Sequence, residues 1–478
     1  MASSAPERPA ERVRVIFGAL MIVILLASTV SGPIYGKLGD LYGRKVVLQT
    51  AIVVFLVGSA LCGISQNMIE LIGFRALQGL GAGGLMVTAI AVVGDVVPPR
   101  ERGRYQGLFG AVFGVSTVIG PLLGGFFVDN LSWRWIFYVN LPVGAIALFV
   151  IGVVFHSRAA HVRHAIDYLG AATLAAGLSC IVLFTSLGGT TEPWGSVPSV
   201  LLVVLGVALL VAFAFVESRA QEPILPLSLF RNQTFVVTSA IGFIIGLALF
   251  GSITYLPVFL QVVKGKSPTS SGLQLTPMMG GVLVTSILAG RLISRFGRYR
   301  VFPIVGTALM TVGMVLLSQL DIHSSTTTAS LDMLVLGLGL GSVMQVLVLA
   351  VQNAVDFSVM GVATSGSLLF RQVGGSIGIA IFGAIFANRL HSDLAHRGVH
   401  APKNVSPAVV RSLPPPLRHA YVEAIASALH PVFVAASGIA VAAFLLTWLL
   451  REVPLRASTR PLDGEELAGA ASAETSRA

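Results

Sequence analysis

Long apolar runs alternate with short polar stretches along nearly the whole chain. Each run holds 18 to 26 residues, and a helix needs roughly 20 residues to cross a bilayer. Such runs favour spanning helices over a β-barrel, whose strands would alternate polar and apolar positions. The pattern predicts an all-α integral membrane protein with about 13 transmembrane helices. The runs lie near residues 14–35, 46–64, 69–93, 105–128, 134–155, 168–188, 199–216, 234–259, 271–293, 301–319, 330–354, 366–387 and 428–450.

Composition supports this class and limits the partners. Of the 478 residues, 55% are hydrophobic and 11% are charged, whereas soluble domains carry about 25% charged residues. The formal charge of +10 does not indicate nucleic-acid binding, because the cations are concentrated in loops on one side of the predicted membrane. The expected partner is therefore the lipid bilayer, with no nucleic acid.

The distribution of cations predicts the orientation. The loops on the side of residues 37–45 carry 13 Lys and Arg residues, whereas the short loops on the other side carry two. Cytoplasmic loops are the ones enriched in Lys and Arg, so residues 37–45 are predicted inside. The N-terminus is then outside and the C-terminus inside, with a long polar outer loop at 388–427. The polar ends, residues 1–13 and 451–478, are predicted to be disordered.

A charged stretch at residues 36–45 separates the first two runs and is predicted to be a water-facing loop. Its pattern, G-x-L-x-D-x-x-G-R-K, recurs more weakly 254 positions later at Gly290, Leu292, Ser294, Gly297 and Arg298. Such internal repeats are typical of transporters. The stretch resembles the signature loop of the major facilitator superfamily. The resemblance implies a conformational-switch loop, in which Asp40 is expected to pair with nearby cations; its members are Gly36, Asp40, Gly43, Arg44 and Lys45.

Arg75 and Gln78 lie three positions apart in the third run and share a helix face. Arg75 is about 9 Å inside the predicted span at 1.5 Å per residue. It either reaches back to the membrane surface or has a functional role, which is the usual case for an intramembrane cation. The pattern R-x-x-Q-G resembles the superfamily's fourth-helix motif, so Arg75 and Gln78 are candidates for proton coupling.

The fourth run is rich in glycine and carries Gly120-Pro121 followed by Gly124-Gly125. Glycines let neighbouring helices approach closely and proline disturbs a helix, which alone would indicate only packing. The pattern G-P-x-x-G-G resembles the antiporter motif of drug exporters, and this indicates export as the direction of transport. The candidate residues of this motif are Gly114, Gly120, Pro121, Gly124 and Gly125.

Residues 133–142, W-R-W-I-F-Y-V-N-L-P, begin the fifth run. They resemble a signature of the fourteen-helix drug:proton antiporters, the EmrB/QacA-like exporters. The resemblance implies two pseudo-symmetric helix bundles with two extra helices between them. The predicted division is a tail at 1–13, an N-terminal bundle at 14–155, the extra helices and a linker at 156–216, a C-terminal bundle at 217–450 and a tail at 451–478.

Arg371 and Gln372, in the motif F-R-Q-V-G-G, lie inside the twelfth run. Arg371 either pairs structurally with an acid or lines the substrate path, so both residues are candidates for that path. His156, His161 and His164 share a loop without Cys or carboxylate ligands, and no metal site is expected. There is no Walker loop and no nucleophile–base pair, so neither ATP-driven transport nor an enzyme is expected.

The sequence departs from the family pattern at its start. Only one run precedes residues 36–45, and it reads as a fusion of the family's first two helices without the first helix's acidic residue. All Asp and Glu residues fall in loops, tails or at span edges, and Asp332 is among the deepest. Proton coupling normally uses a buried carboxylate, so weak or absent proton-coupled efflux is expected.

Together these patterns predict a multi-pass transporter of the inner or plasma membrane that exports lipophilic drugs or toxic small molecules. The expected energy source is the proton gradient, with no cofactor, and the expected state is a monomer. Two alternatives remain open: an exporter or facilitator of one metabolite, and an internally truncated transporter with little activity.

Overall fold

The computed structural model describes residues 27–155, 167–187, 194–397, 410 and 413–455. Residues 27–42 are helical (α1). The helices that follow are α2 Arg44–Ile64, α3 Met68–Val96, α4 Pro99–Asn130, α5 Trp135–Tyr138, α6 Asn140–Val154, α7 Tyr168–Leu187, α8 Val197–Glu217, α9 Gln233–Val258, α10 Pro268–Gln274, α11 Thr276–Phe296, α12 Val301–Ser318, α13 Thr326–Ala354, α14 Met360–His396 and α15 Pro415–Thr447. A single π-helical turn, Phe259–Val263, extends α9.

The helices match the predicted spans. Within the described residues, 11 helical segments are long and apolar enough to cross a membrane, with α5 and α6 counted together. Adding α1 and the 32-residue α4 gives 13 helical segments at the 13 predicted places. The predicted all-α membrane fold with about 13 helices is therefore confirmed.

Short polar caps determine where several helices begin. The side chain of Asn67 accepts from the Glu70 amide at the start of α3, and Ser325 accepts from the Thr328 amide at the start of α13. Such caps satisfy amide groups that have no partner within the helix. They extend both helices beyond the apolar runs that predicted them.

Close backbone contacts between helices account for much of the glycine content. A Cβ atom on Gly81 of α3 would lie 2.4 Å from the Phe55 amide nitrogen of α2, and one on Gly374 of α14 would lie 2.1 Å from the Phe243 carbonyl oxygen of α9. Only glycine permits such an approach. The two halves are thus built from helix pairs packed backbone to backbone.

Three predictions about loops and tails are wrong in part. The stretch 36–45 is not a loop, because α1 continues to residue 42 and only Gly43, at φ 88°, separates it from α2. The described parts of the predicted outer loop at 388–427 are mostly helical, since α14 continues to His396 and α15 begins at Pro415. Proline suits the first turn of a helix, so the triple proline begins α15.

The predicted disordered tail at 451–478 begins with ordered residues. Tyr299, fully buried, donates its amide to Glu452 at 2.8 Å and its hydroxyl to the Arg451 carbonyl at 3.0 Å. Asn353 donates to the carbonyl of Val453. Residues 451–455 are therefore packed on the C-terminal half. The predicted tail at 1–13, most of the first run, the loop with the three histidines and residues 456–478 lie outside the described residues.

The two extra helices form a hairpin beside the C-terminal half. Helix α7 packs against α8 along its length and also contacts α14. The outer side of α8 is exposed, as at Val204 and Val211, which are 60% and 65% exposed. This hairpin is the element expected between the two bundles, and the domain boundaries assigned to it stay a prediction.

Candidate functional site

The two halves meet at the end of the helices that carries residues 36–45. We call this end of the molecule the loop face. There the backbone of α1 touches the first turn of α14. A Cβ atom on Gly36 would lie 2.9 Å from the Gly361 carbonyl oxygen, and one on Gly361 would lie 2.8 Å from the Gly36 carbonyl oxygen. Neither glycine can gain a side chain without moving the two helices apart.

Asp40 joins the halves at this contact. Its Oδ1 accepts from the Gly361 amide at 3.1 Å, and its Oδ2 accepts from the Val362 amide at 2.9 Å. These are free amides of the first turn of α14, where the helix dipole also favours a negative charge. The carboxylate of one half thus caps a helix of the other.

Arg44 holds Asp40 in place. Its guanidinium pairs with Asp40 and, through Nε at 2.9 Å, with Asp95 at the end of α3. Arg44 is only 4% exposed, so the expectation that all three cations of this stretch face water is wrong for Arg44. A buried cation needs paired anions, and the two acids supply them. We call Asp40, Arg44 and Asp95 the Asp40 cluster.

Burial sets the protonation behaviour of Asp40. Loss of hydration raises the pKa of this carboxyl from 3.8 to about 6, although Arg44 and the two amides act in the opposite direction. Burial disfavours the charged form of an acid. The closed contact therefore binds a proton more tightly than the exposed carboxyl does.

The other two basic residues of the stretch also make contacts across elements. The ammonium group of Lys37 lies 3.7 Å from a carboxylate oxygen of Glu222, in the segment that enters the C-terminal half. Lys45 donates to the Gly152 carbonyl at 2.8 Å, at the end of α6. Lys37 thus adds a second ionic contact between the halves at the loop face.

A second seam lies between α4 and the C-terminal half. Helices α4 and α11 touch where a Cβ on Gly290 would come within 2.2 Å of the Gly103 carbonyl oxygen. Beside it, Arg102 is 2% exposed and donates to carbonyls at the end of α3 and, at 3.4 Å, to the Gln352 carbonyl of α13. Gln106 also donates to the side chain of Gln352 at 3.3 Å. Together with the Asp40 cluster, this seam closes the loop face.

The repeat found in the sequence is visible in the backbone. Gly43 and Gly297, which are 254 positions apart, both have positive φ, at 88° and 71°, and each follows a helix that ends at the loop face. Residues with a side chain rarely adopt a positive φ, whereas glycine does so readily. The second copy of the repeat has no acidic residue at the position equivalent to Asp40, where Ser294 stands instead. The buried hydroxyl of Ser294 has no hydrogen-bond partner among the described residues.

Away from the loop face, α4 stays beside the C-terminal half, where it contacts α11 and the short helix α10. A Cβ on Gly114 would lie 3.3 Å from the Met279 carbonyl oxygen of α11, whereas no described atom would lie within 4 Å of one on Gly120 or Gly124. Helix α4 runs without interruption past Pro121; the side-chain surroundings of Pro121 and Gly125 are not among the described features. Of the predicted antiporter motif, Gly114 thus packs against a neighbouring helix, and Gly120 and Gly124 have free space beside them among the described residues.

Arg75 lies in a polar network inside the N-terminal half. It donates to the Gln78 side chain at 2.8 Å, and Gln78 donates to the Ser59 hydroxyl of α2 at 2.9 Å. Asn140 of α6 donates to the same hydroxyl at 3.0 Å, and the Arg75 guanidinium lies 5.4 Å from the centre of the Phe137 ring. The sequence predicted Arg75 and Gln78 together; it missed Ser59 as the group that joins three helices.

Arg371 and Gln372 lie in α14, at the centre of the C-terminal half. Arg371 lines a small cavity with Gly242, Met344 and Ser367. Within the part of the chain that the structure describes, its guanidinium has no carboxylate partner or hydrogen bond. This arrangement does not support the alternative of structural pairing and leaves a role in the substrate path as a prediction.

Asp332 is deeper than the sequence placed it. Because Ser325 caps α13, the helix begins four residues before the apolar run, and Asp332 is its seventh residue, about 9 Å from the start. The side chain is 7% exposed and has no ion pair among the described residues. The Ser325 capping pattern was the available signal for this burial.

Comparison with known proteins agrees with the all-helical membrane fold described above. A family model described as the Major Facilitator Superfamily matches residues 14–379. The chain belongs to the major facilitator superfamily. Two solved superfamily structures share its fold: a proton:xylose symporter, XylE, with a TM-score of 0.63 at 14% identity over 95% of this chain and 90% of that one, and the human organic anion transporter MFSD10, with 0.61 at 15% over 90% and 83%.

Relatives within the superfamily are more similar in sequence. An uncharacterised MFS-type transporter of Mycobacterium tuberculosis (strain ATCC 25618 / H37Rv) is 47% identical over 90% of this chain and 63% of its own length. This chain therefore spans a little under two thirds of that relative. In Bacillus subtilis (strain 168), the multidrug transporter protein MdtP is 42% identical over 77% of this chain and 68% of its own, and multidrug resistance protein 3 is 35% identical over 84% and 82%.

Proposed function

We propose that this chain is a secondary active transporter of the inner or plasma membrane that exports lipophilic small molecules by proton antiport. It acts by alternating access, with the substrate between the two halves and no cofactor. The relatives named as multidrug transporters support this substrate class. A transporter, rather than an enzyme, is also what superfamily membership indicates, and a monomer suffices for this mechanism.

The observation that carries the proposal is the set of contacts that join the two halves at the loop face. There the halves are joined by Asp40, by Lys37 and by the contact of Gly103 with Gly290. The bonds of Asp40 and Lys37 are polar contacts that can break and re-form. Reversible contacts between two helix bundles at one end are what a gate in alternating access requires.

Proton coupling is assigned to the network of Arg75, Gln78 and Ser59. Arg75 is a guanidinium inside a helix bundle without a carboxylate partner among the described residues. Intramembrane cations are costly and usually functional. The network holds no group that takes up a proton itself, so its role would be to respond to protonation of an acid elsewhere through the hydrogen bonds that connect α2, α3 and α6.

Transport into everted membrane vesicles tests the proposal. Vesicles whose membrane contains the chain should accumulate a lipophilic cationic dye such as ethidium when a proton gradient is imposed. An uncoupler should abolish this accumulation. The matched control is Asp40→Asn, which should insert equally well but transport weakly. Wild-type vesicles that gain no more dye than empty ones would refute export.

A further outcome of this assay is transport that is not driven by the proton gradient. Accumulation that follows only the dye concentration gradient would identify an uncoupled facilitator. That alternative is favoured by the absence of an acid from the Arg75 network in the described residues. The same assay with a metabolite panel in place of the dye would test the metabolite-specific alternative.

A further inference from the structure

A second cavity, outside the space between the halves, lies between the α7–α8 hairpin and the C-terminal half. Its volume is about 690 Å³, which is within the range of sites that bind drug-sized molecules. Leu178 of α7 and Phe213 of α8 form one wall, and Phe243 of α9 and Phe370 of α14 form the other. We call it the hairpin cavity.

The cavity opens at the surface of the helices. Leu227, Phe230 and Val236, at its edge, are 40%, 42% and 40% exposed, whereas Leu178 and Phe213 are 5% and 7% exposed. The lining residues of α8, α9 and α14 lie in the halves of these helices that are nearer the loop face, and those of α7 lie near its middle. A molecule dissolved in the leaflet on that side would reach the cavity directly.

One polar group interrupts the apolar lining. Ser239 of α9 is 4% exposed, and its hydroxyl has no hydrogen-bond partner among the described residues. A helical serine usually bonds the carbonyl four positions earlier, but the Phe235 carbonyl already accepts from the Thr238 hydroxyl at 3.1 Å. A buried hydroxyl without a partner is costly, and a bound molecule with one hydrogen-bonding group would satisfy it.

The cavity is close to the centre of the C-terminal half. Phe370 faces the hairpin cavity, and its neighbour Arg371 faces the small central cavity. Helices α9 and α14 separate the two and touch through backbone, since a Cβ on Gly246 would lie 2.1 Å from the Arg371 carbonyl oxygen. The partition is therefore a single layer of two closely packed helices.

From these observations we infer that the hairpin cavity binds drug-sized, largely apolar molecules carrying one hydrogen-bonding group, which enter from the membrane leaflet at the loop face. The inference rests on the proposed export of lipophilic molecules and names the place where they are first bound. The α7–α8 hairpin is then one wall of a binding site and not only a spacer between the halves.

Nile red, an uncharged lipophilic dye with one carbonyl acceptor, is the probe. Purified full-length chain in lipid nanodiscs should bind it saturably after subtraction of empty nanodiscs. Ala240→Phe and Ala214→Phe fill the cavity from opposite walls and should each weaken binding at least roughly tenfold, because the added ring takes the volume of the ligand. Ser239→Ala should weaken it about fivefold through the lost hydrogen bond.

The matched control is Val204→Phe, which adds a ring on the exposed outer side of α8 and should leave binding within about twofold. Two cavity variants are used so that the test does not depend on the folding of one of them. Each purified variant must elute as a monodisperse species. Unchanged Nile red binding in both folded variants would overturn the inference. So would a phospholipid that co-purifies with the wild type, is lost in Ala240→Phe and is not displaced by Nile red.

The outcomes for the two proposals are separate. Dye efflux in vesicles without specific Nile red binding would reject the hairpin cavity and leave export standing. Specific binding in the cavity without efflux would reject export and leave the binding site standing.

Discussion

At the scale of single residues, the contact of Gly36 with Gly361 makes the sharpest prediction. A methyl group on Gly361 would lie 2.8 Å from the Gly36 carbonyl oxygen, besides crowding the side chains of Arg44 and Asp40. Gly361→Ala should therefore separate the halves at the loop face and lower transport by roughly tenfold or more, since the backbone of α1 cannot move aside as a side chain can. The reporter is the distance between spin labels at Val46 and Arg298, exposed positions of the two halves.

Gly438→Ala is the control for that experiment. Gly438 is inside α15, and a Cβ there would meet nothing within 4 Å. Alanine in a helix interior is more favourable than glycine by up to about 1 kcal/mol, so this variant should keep full transport and an unchanged spin-label distance. An unchanged distance in Gly361→Ala would contradict the close contact described here.

Asp40 should make closure of the loop face depend on pH. Its pKa in the closed contact is about 6 instead of 3.8, so the closed state holds the extra proton in the window between these values. The proton-linked stabilisation is complete below pH 4 and is lost as the pH rises through 6. The closed fraction, measured by the same spin labels, should rise on going from pH 7 to pH 5.

Asp40→Asn should remove that dependence and also impair closure. Asparagine offers one acceptor where the carboxylate offers two to α14, and it leaves Arg44 with Asp95 alone; a hydrogen bond to a charged group contributes about 1.5–3 kcal/mol. Asp356→Asn, an exposed acid at the same end, is the control. A pH response that persists in Asp40→Asn would assign it to another group.

The Arg75 network leads to a prediction about coupling. Arg75→Lys removes the planar guanidinium that contacts Gln78 and Phe137, and Lys cannot reproduce that geometry. We expect the pH-dependent part of transport to fall roughly tenfold while substrate binding changes little. Arg134→Lys, which removes a contact with the Ser65 carbonyl, is the control. Equal losses of binding and transport in Arg75→Lys would indicate a packing role instead.

Sequence reasoning identified the local pairs but not the distant ones. Arg75 and Gln78 are three positions apart on one helix, and Asp40 and Arg44 are four positions apart on either side of Gly43, so closeness in sequence brings both pairs together. Asp95, Gln352 and Gly361 are far from their partners in sequence. The contact of Asp95 depends on how α3 packs against α2, and those of Gln352 and Gly361 depend on how the two halves dock, which no local pattern encodes.

At the scale of elements, α13 contains a candidate proton carrier. Asp332 lies about 9 Å inside this helix, is 7% exposed and has no ion pair among the described residues. An acid inside a membrane-spanning helix is rare and commonly marks a proton pathway. If it carries the proton, Asp332→Asn should abolish uphill efflux driven by a pH gradient and leave downhill dye exchange within about twofold, since asparagine preserves the shape.

The measurement is the ratio of uphill to downhill flux in everted vesicles. Asp393→Asn, an acid near the end of α14 that pairs with Arg389, is the control and should keep the ratio. Retention of uphill efflux in Asp332→Asn would remove this acid from the coupling mechanism.

Element ends were predicted less well than element existence. Apolar length located each span, but polar caps and prolines extended the helices beyond the apolar runs, as in the start of α13 at Thr326 and of α15 at Pro415. The same extension placed Asp332 inside a helix. Capping interactions contribute about 1 kcal/mol each. This is enough to determine where a helix begins, but the capping residues do not stand out in a hydropathy pattern.

At the scale of the whole molecule, the orientation of the chain remains to be tested. The distribution of cations predicts residues 1–13 outside, with a single crossing at 14–35. A cysteine at Ser4, in a Cys62→Ser, Cys180→Ser background, should react from outside intact cells with a membrane-impermeant maleimide. A cysteine at Lys266, in the predicted outer loop 260–270, is the positive control. Protection of position 4 while position 266 reacts would show that the single-crossing topology is wrong.

The two seams of the loop face are fastened differently, and this has a mechanical consequence. Glycine backbones touch at both seams, Gly103 with Gly290 and Gly36 with Gly361, but only the α1–α14 seam adds a charged group, the Asp40 carboxylate, that bonds across it. When the α1–α14 seam opens, this carboxylate regains its hydration, which offsets the lost contacts, whereas the contact of Gly103 with Gly290 is backbone alone and has no such compensation. Opening should therefore be a lever motion that pivots at the α4–α11 seam and swings widest at Asp40, so the gap that first admits water forms beside α14.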